Sequence, residues 1–193
     1  MRIVGGAWRG QRLQAPRGRG VRPSADRLRE SLFNILAHGP WPSLEGAVIG
    51  DLFAGTGALG LEALSRGAAQ AIFVEKAPAS LRVLRENIAA LGAADRARIL
   101  AVDARRLPAA PTPLEIIFLD PPYRRNLAPP ALASLGAQGW LADEALVIVE
   151  TAADETLAPP PGLIVADARR LGDSRLWFLR RAGPSEKHRH SPT

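Results

Sequence analysis

Asp51-Leu52-Phe53-Ala54-Gly55-Thr56-Gly57-Ala58-Leu59-Gly60 is the stretch that decides the fold of this 193-residue chain. An apolar run, Ala47-Val48-Ile49-Gly50-Asp51, leads into it and reads as a short buried strand. A helical pattern over 58–66 follows and is closed by Gly67. Further out the same units recur. Residues 71–75 predict a second strand, 79–91 a helix ended by Gly92, 98–102 a third strand, 114–119 a fourth and 145–149 a fifth. Short apolar strands alternating with helices imply an α/β protein with a parallel sheet covered on both faces. Residues 163–171 and 175–179 flank Gly172-Asp173, a two-residue turn of the kind that joins antiparallel strands. An antiparallel hairpin is therefore expected at the end of the sheet. Ahead of the first unit, residues 2–4 and 8–13 around Gly5-Gly6 predict a β-ribbon, and 16–20 a loop. Ser24 is placed to cap a helix with an apolar stripe of Leu28, Leu32, Phe33, Ile35 and Leu36, which stops at His38-Gly39-Pro40.

The glycine-rich turn reads as a ligand site. Gly55 and Gly57 permit positive φ and close approach of backbone to a ligand, and Gly60 permits tight helix–sheet packing. The pattern is formally G-x-G-x-x-G, which suits nicotinamide or flavin nucleotides as well as S-adenosylmethionine. Asp51, at the carboxyl end of the first strand, tips the balance. A carboxylate aimed at the turn repels a pyrophosphate and favours the cationic sulfonium and ammonium end of S-adenosylmethionine. Glu75 ends the second strand, where a carboxylate can accept from both ribose hydroxyls. Asp103 follows the third strand and is a candidate for the adenine amine, with Ala104 beside it. Each strand-end acid could instead be a helix cap or a solvated charge. The candidate cofactor residues are Asp51, Phe53, Ala54, Gly55, Thr56, Gly57, Glu75, Lys76, Asp103 and Ala104.

The fourth strand runs into Asp120-Pro121-Pro122-Tyr123. Two prolines remove two backbone donors and fix φ, so the segment is rich in acceptors and has no evident nucleophile. That suits a substrate with an N–H2 group on a planar ring, and Tyr123, the chain's only tyrosine, offers a face for the ring. Acceptors that grip the amine hydrogens free a lone pair otherwise delocalised into the ring. Methyl transfer from a sulfonium then needs in-line positioning more than strong base catalysis. The base must be unstacked or single-stranded to reach such a site. Asp120, Pro121, Pro122 and Tyr123 are the candidate catalytic residues.

The formal net charge is +6, and all of it sits in residues 1–30. There Arg2, Arg9, Arg12, Arg17, Arg19, Arg22, Arg27 and Arg29 face only Asp26 and Glu30, while the rest of the chain sums to zero. Such a cluster suits phosphate contacts with a nucleic acid. Arg9, Arg12, Arg22 and Arg27, together with Arg124 and Arg125 after Tyr123, are the candidate RNA-binding residues. Absence of cysteine excludes a disulfide framework, a thiol nucleophile and a thiolate metal site. His38, His188 and His190 have no metal-ligand spacing, so no metal is expected. No run approaches the roughly 20 apolar residues of a membrane span, and the charged N-terminus lacks the apolar stretch of a signal peptide. The expected organisation is a basic RNA-binding extension over 1–40, a catalytic domain over 41–181 and a polar tail over 182–193. A cytoplasmic monomer is expected.

The chain resembles the bacterial 16S ribosomal RNA guanine-N2 methyltransferases of the RsmD family. The resemblance is carried by Arg2-Ile3-Val4-Gly5-Gly6, Trp8-Arg9-Gly10, Arg22-Pro23-Ser24, the run 27–34, the run 51–67, Asp120-Pro121-Pro122-Tyr123 and Gly139-Trp140-Leu141. It implies a Rossmann-like, seven-stranded methyltransferase fold with S-adenosylmethionine as methyl donor. It also implies methylation of one guanine in a loop of small-subunit RNA, on an assembling subunit. Two rivals remain. An adenine-N6 DNA methyltransferase uses the same four-residue motif, but 193 residues leave no room for a target-recognition domain. A non-catalytic RNA-binding assembly factor on this scaffold would have no need of an intact Asp51 and Asp120.

Overall fold

The computed structural model describes residues 1–15 and 23–182. Its elements in chain order are α1 (Pro23–His38), β1 (Val48–Leu52), α2 (Ala58–Ser65), β2 (Gln70–Val74), α3 (Pro78–Ala90), β3 (Ala97–Leu100), β4 (Leu114–Leu119), α4 (Ala128–Ala137), β5 (Leu141–Ala152), β6 (Leu163–Leu171) and β7 (Ser174–Arg181). They form one seven-stranded sheet in the order β3-β2-β1-β4-β5-β7-β6. The pairs among β1 to β5 are parallel, and β7 runs antiparallel between β5 and β6. This is the expected mostly parallel sheet with its terminal hairpin.

Alternation along each strand builds two cores. In β4, Ile116 and Phe118 join Leu32, Phe33, Leu61, Leu64, Leu84 and Ile88 from α1, α2 and α3. Ile117 and Leu119 turn the other way and meet Leu132, Leu135 and Trp140 under α4. Each fully buried Leu or Phe contributes about 1.5–3 kcal/mol. The indole of Trp140 is fully buried and keeps its one donor satisfied by bonding the Pro108 carbonyl at 2.9 Å.

The structure departs from the sequence-based expectation in two places. The sequence pattern names no element between the fourth and fifth strands, but a helix forms there at Pro129 and Pro130. They lie in the first turn of α4, where a missing N–H breaks no helical bond. The expected N-terminal ribbon reduces to one antiparallel bridge, Arg2 to Arg12. Gly5-Gly6 is not a hairpin turn, because the arm instead lies on the C-terminal end of α2. Ala7 N–H donates to the Ser65 carbonyl at 2.7 Å, which satisfies one of the helix's orphan acceptors. Trp8 N–H donates to Ser65 Oγ and Val4 N–H to Glu62 Oε2. Ile3 and Leu13 are buried in the same core as β1 and α2. The loop expected over 16–20, the side-chain cap at Ser24 and the tail from residue 183 lie outside the described residues and side chains.

Gly6 has φ of +74°, and an added Cβ would sit 1.9 Å from the Ser65 carbonyl oxygen. Gly10 has φ of +86° but faces open space. Gly6→Ala should therefore lower unfolding free energy by about 2–4 kcal/mol and Gly10→Ala by only about 1–2 kcal/mol, as read from urea denaturation. Equal losses would refute the close docking of the arm.

Candidate active site

Because β1 to β5 run parallel, their carboxyl ends share one edge, the place where open α/β sheets bind ligands. Leu52 is level with Val74 and Leu119, and Leu119 with Val149. Glu75, Asp120 and Glu150 follow those partners directly, so Asp120 stands beside Glu150, with Glu75 on the same row across β1. Asp51 lies one residue back in β1, and Asp103 follows β3.

Asp51 is expected from the sequence to face the turn, but it lies under α2 instead. Alternation puts it on the same side as Ile49, facing the helix, with 1% of its surface exposed. Its Oδ2 accepts the Gly60 N–H at 2.9 Å. Burial pushes its pKa up to about 7, opposed by the Gly60 bond and assisted by the charge of Glu75. Above it the turn bends through Phe53 (φ +60°), Gly55 (φ +57°) and Gly57 (φ +80°). The three glycines differ in role. A Cβ on Gly57 would lie 2.4 Å from Leu84, and one on Gly60 2.4 Å from Phe73, so packing demands both. A Cβ on Gly55 would meet only the Phe53 carbonyl, at 3.8 Å, so Gly55 faces open space.

Glu75 holds the turn itself. Its Oε2 accepts Gly55 N–H at 2.9 Å, and its Oε1 accepts the N–H groups of Lys76 and Ala77 at 2.8 and 2.7 Å. Each carboxylate oxygen has two lone pairs, so one acceptor site, on Oε2, remains for a ribose hydroxyl. Asp103 is more committed than expected. Lys76 Nζ bonds its Oδ2 at 2.9 Å, and the Arg105 guanidinium bonds both oxygens. Arg105 and Lys76 hold its carboxyl well below the usual carboxylate range. It is not an open acceptor for an adenine amine, and Lys76 spends its charge on it. Ala104 is buried beside it.

Asp120 follows β4, exposed at the mouth of the edge though walled by protein. That crowding raises its pKa well above the ordinary value, and the charges of Glu150 and Asp51 add to the rise. Pro121 is buried and Pro122 exposed. Tyr123 is anchored by its phenol, which donates to Glu150 Oε1 and lies 2.8 Å from Ser174 Oγ. Sequence reasoning missed Glu150, Ser174 and Asn87. Glu150 was within reach, since it directly follows the apolar run 145–149 just as Glu75 follows the run 71–74. Ser174 and Asn87 carry no local signal. The buried Asn87 amide accepts Gln14 N–H at 2.8 Å and donates to the carbonyls of Gln14 and Thr56, tying the N-terminal arm to the turn.

Most of the candidate RNA-binding arginines lie on the described surface. Arg2, Arg9, Arg12 and Arg27 are exposed, as are Arg124 and Arg125. Arg22, with Arg17 and Arg19, lies outside the described residues. Arg29 does not belong to the footprint, because it is 3% exposed and turned inward to Asp26, the Arg2 carbonyl and Glu62. Arg124 pairs with Asp154 at 3.1 Å, an exposed pair that solvent screens.

Asp51, Asp120 and Glu150 all hold protons more tightly in the folded protein than in the unfolded chain. The folded state therefore binds more protons, and its stability falls as pH rises from the ordinary carboxylate range through about 7. Urea denaturation should show lower stability at about pH 8 than at about pH 5, by a few kcal/mol. Asp51→Asn, which keeps an acceptor for Gly60, should flatten that slope, and an unchanged slope would refute the buried charge.

Comparison with known proteins agrees with this fold. A model of the family described as conserved hypothetical protein 95 matches residues 1–180. The chain is 46% identical over 162 residues to the ribosomal RNA small subunit methyltransferase D of Escherichia coli K12, covering 83% of this chain and 79% of that one. It is 36% identical over 176 residues to the protein of the same name from Haemophilus influenzae, covering 89% of each. The solved structure of a putative methyltransferase from Escherichia coli matches with a TM-score of 0.80 at 39% identity, over 94% of this chain and 97% of that one. The fold is thus the Rossmann-like methyltransferase fold, and the chain belongs to the conserved hypothetical protein 95 family, alongside the small subunit methyltransferase D proteins it is similar to.

Proposed function

We propose that this protein transfers a methyl group from S-adenosylmethionine to the exocyclic N2 amine of a guanine in the RNA of the small ribosomal subunit. Asp120 carries the reading. Asp51, Glu75, Asp103 and Glu150 each accept a hydrogen bond from the protein. Among the described residues the Asp120 carboxylate accepts none, and it stands exposed beside Pro121 and Tyr123. It is the strand-edge acid left for a substrate donor. The relatives named for methylation of small-subunit ribosomal RNA support the substrate class.

The residues present fit S-adenosylmethionine. Acids crowd this edge, Lys76 and Arg105 are spent on Asp103, and a cationic ligand relieves the repulsion. Gly55 leaves room for close approach, with Phe53, Ala54, Thr56 and Gly57 shaping the turn. Bound there, the cofactor supplies a methyl group activated by its sulfonium. Asp120 and the Pro121 carbonyl accept from the amine hydrogens, and Tyr123 stacks on the base. Held so, the amine nitrogen would have its lone pair aimed at that methyl group and would lose a proton on transfer. The proton lost from nitrogen passes to Asp120, whose raised pKa makes it a better acceptor than an ordinary carboxylate.

Arg2, Arg9, Arg12, Arg27 and Arg125 hold phosphates around the unstacked base. In this reading residues 1–40 grip RNA, 41–181 carry out catalysis and 182–193 form a polar tail. The substrate is an assembling small subunit, met by a monomer in the cytoplasm. Among the described residues no helix is long and apolar enough to cross a membrane.

With labelled cofactor, label should enter guanine of small-subunit RNA and not DNA. Asp120→Ala should lower kcat by about 10²–10⁴-fold and leave cofactor affinity within a few-fold. Label in DNA or adenine, or normal turnover by that variant, would sink the reading. Arg9→Glu with Arg12→Glu should weaken RNA binding and flatten its salt dependence by about 0.7 in log–log slope per lost single-strand contact. An unchanged slope would remove the arm from the RNA interface.

A further inference from the structure

We infer that Glu150 and Ser174 are positioning residues that lock Tyr123 as the platform for the substrate base, so that the antiparallel end of the sheet is part of the site. The inference rests on the reading of Asp120-Pro121-Pro122-Tyr123 given above.

Tyr123 sits in a connection that includes Arg124 (φ +58°) and Asn126 (φ +50°), two non-glycine residues in the left-handed region. Its backbone is held from the far side, where Glu155 accepts the N–H groups of Arg124 and Ala152, each at 2.9 Å. A ring on such a loop pivots about its own Cα unless its far end is fixed. Glu150 and Ser174 fix it. Glu150 closes the inner part of β5, and Ser174 opens β7 and is paired with Ala152. Ser174 Oγ is 3.1 Å from Glu150 Oε1 and 2.8 Å from the phenol oxygen, so its one hydroxyl hydrogen can serve either neighbour while the phenol donates to Glu150. Only an antiparallel strand starting at this edge brings Ser174 there. A half-buried carboxylate that faces Asp120 costs stability through repulsion. No packing need at the surface explains such a group, whereas aiming a ring within the tolerance of an in-line transfer does.

The chain has one tyrosine, so its ring can be followed without assignment. With carbon-13 labelled tyrosine, the phenol signal should stay un-ionised well above the ordinary tyrosine value, because burial and the neighbouring acids Glu150 and Asp120 oppose a phenolate. Glu150→Gln should bring the ionisation down while keeping an acceptor for the phenol. Glu150→Ala should shift the neutral-pH ring signal towards that of free tyrosine. In activity, Glu150→Ala and Tyr123→Phe should each lower kcat by about 10- to 100-fold with cofactor affinity unchanged. The double variant should be no worse than either single one, and Glu150→Gln should recover most of the loss. Ser174→Ala should show the same pattern more weakly, which keeps the test open if Glu150→Ala fails to fold. Normal kcat in Glu150→Ala, multiplied losses in the double variant, or an unmoved tyrosine signal would each overturn the inference. Should the wild-type chain transfer no methyl group at all, the proposed function fails, and the tyrosine signal alone still decides the tether.

Discussion

The approach of α2 to β1, sealed by the bond from Gly60 N–H to Asp51 Oδ2, is the contact on which the site depends. A charged acceptor for a buried N–H is worth about 1.5–3 kcal/mol, but its geometric effect is larger. It forces the chain to climb from β1 to α2 within five residues, through positive φ at Phe53, Gly55 and Gly57. Phe73 fills the space where a Cβ on Gly60 would stand, so the absence of a side chain at Gly60 lets α2 lie directly on the Phe73 ring. The backbone N–H groups of the turn are thereby presented at the edge where Glu75, Asp120 and Glu150 also end.

That edge is electrostatically expensive. Asp51, Asp120 and Glu150 are all raised by burial, and the neighbouring carboxylates add to the rise for Asp51 and Asp120. A protein selected only for stability would place cations among them, yet Lys76 and Arg105 are both drawn to Asp103. The unpaired negative charge is what a cationic ligand requires, and the strain of keeping it is of the kind that collects at functional sites.

The basic arm is bound into this frame rather than attached to it. Glu62, wholly buried on α2, accepts Val4 N–H at 2.7 Å and Arg66 Nε at 2.7 Å, with Arg29 Nε at 3.7 Å. Removing either partner from such a cluster leaves a buried charge uncompensated. Asn87 makes the second tie, spending its acceptor on Gln14 and its two donors on Gln14 and Thr56. The exposed arginines that suit RNA are thus carried on a segment whose inner face, through Ile3 and Leu13, belongs to the core of the catalytic fold.

Local signals in the sequence were enough to determine the strand–turn–helix order, the parallel sheet with its antiparallel hairpin, and the two motifs at its edge. Apolar period, glycine placement and strand-end acids are properties of a few consecutive residues, and they survive folding. What the acids do was decided by the tertiary structure. Strand alternation turned Asp51 inward, Lys76 and Arg105 took up Asp103, and Glu75 became the brace of the turn, while Asp120 accepts no hydrogen bond among the described residues. Arg29 looks like its exposed neighbours in sequence, yet helix phase buries it against Glu62. The bridge from Tyr123 to Glu150 and Ser174 spans 51 residues of chain and exists only because β7 returns beside β5. Type and order of elements follow from short-range chemistry; which charge is paired and which is left for a ligand follows from what the fold brings into contact.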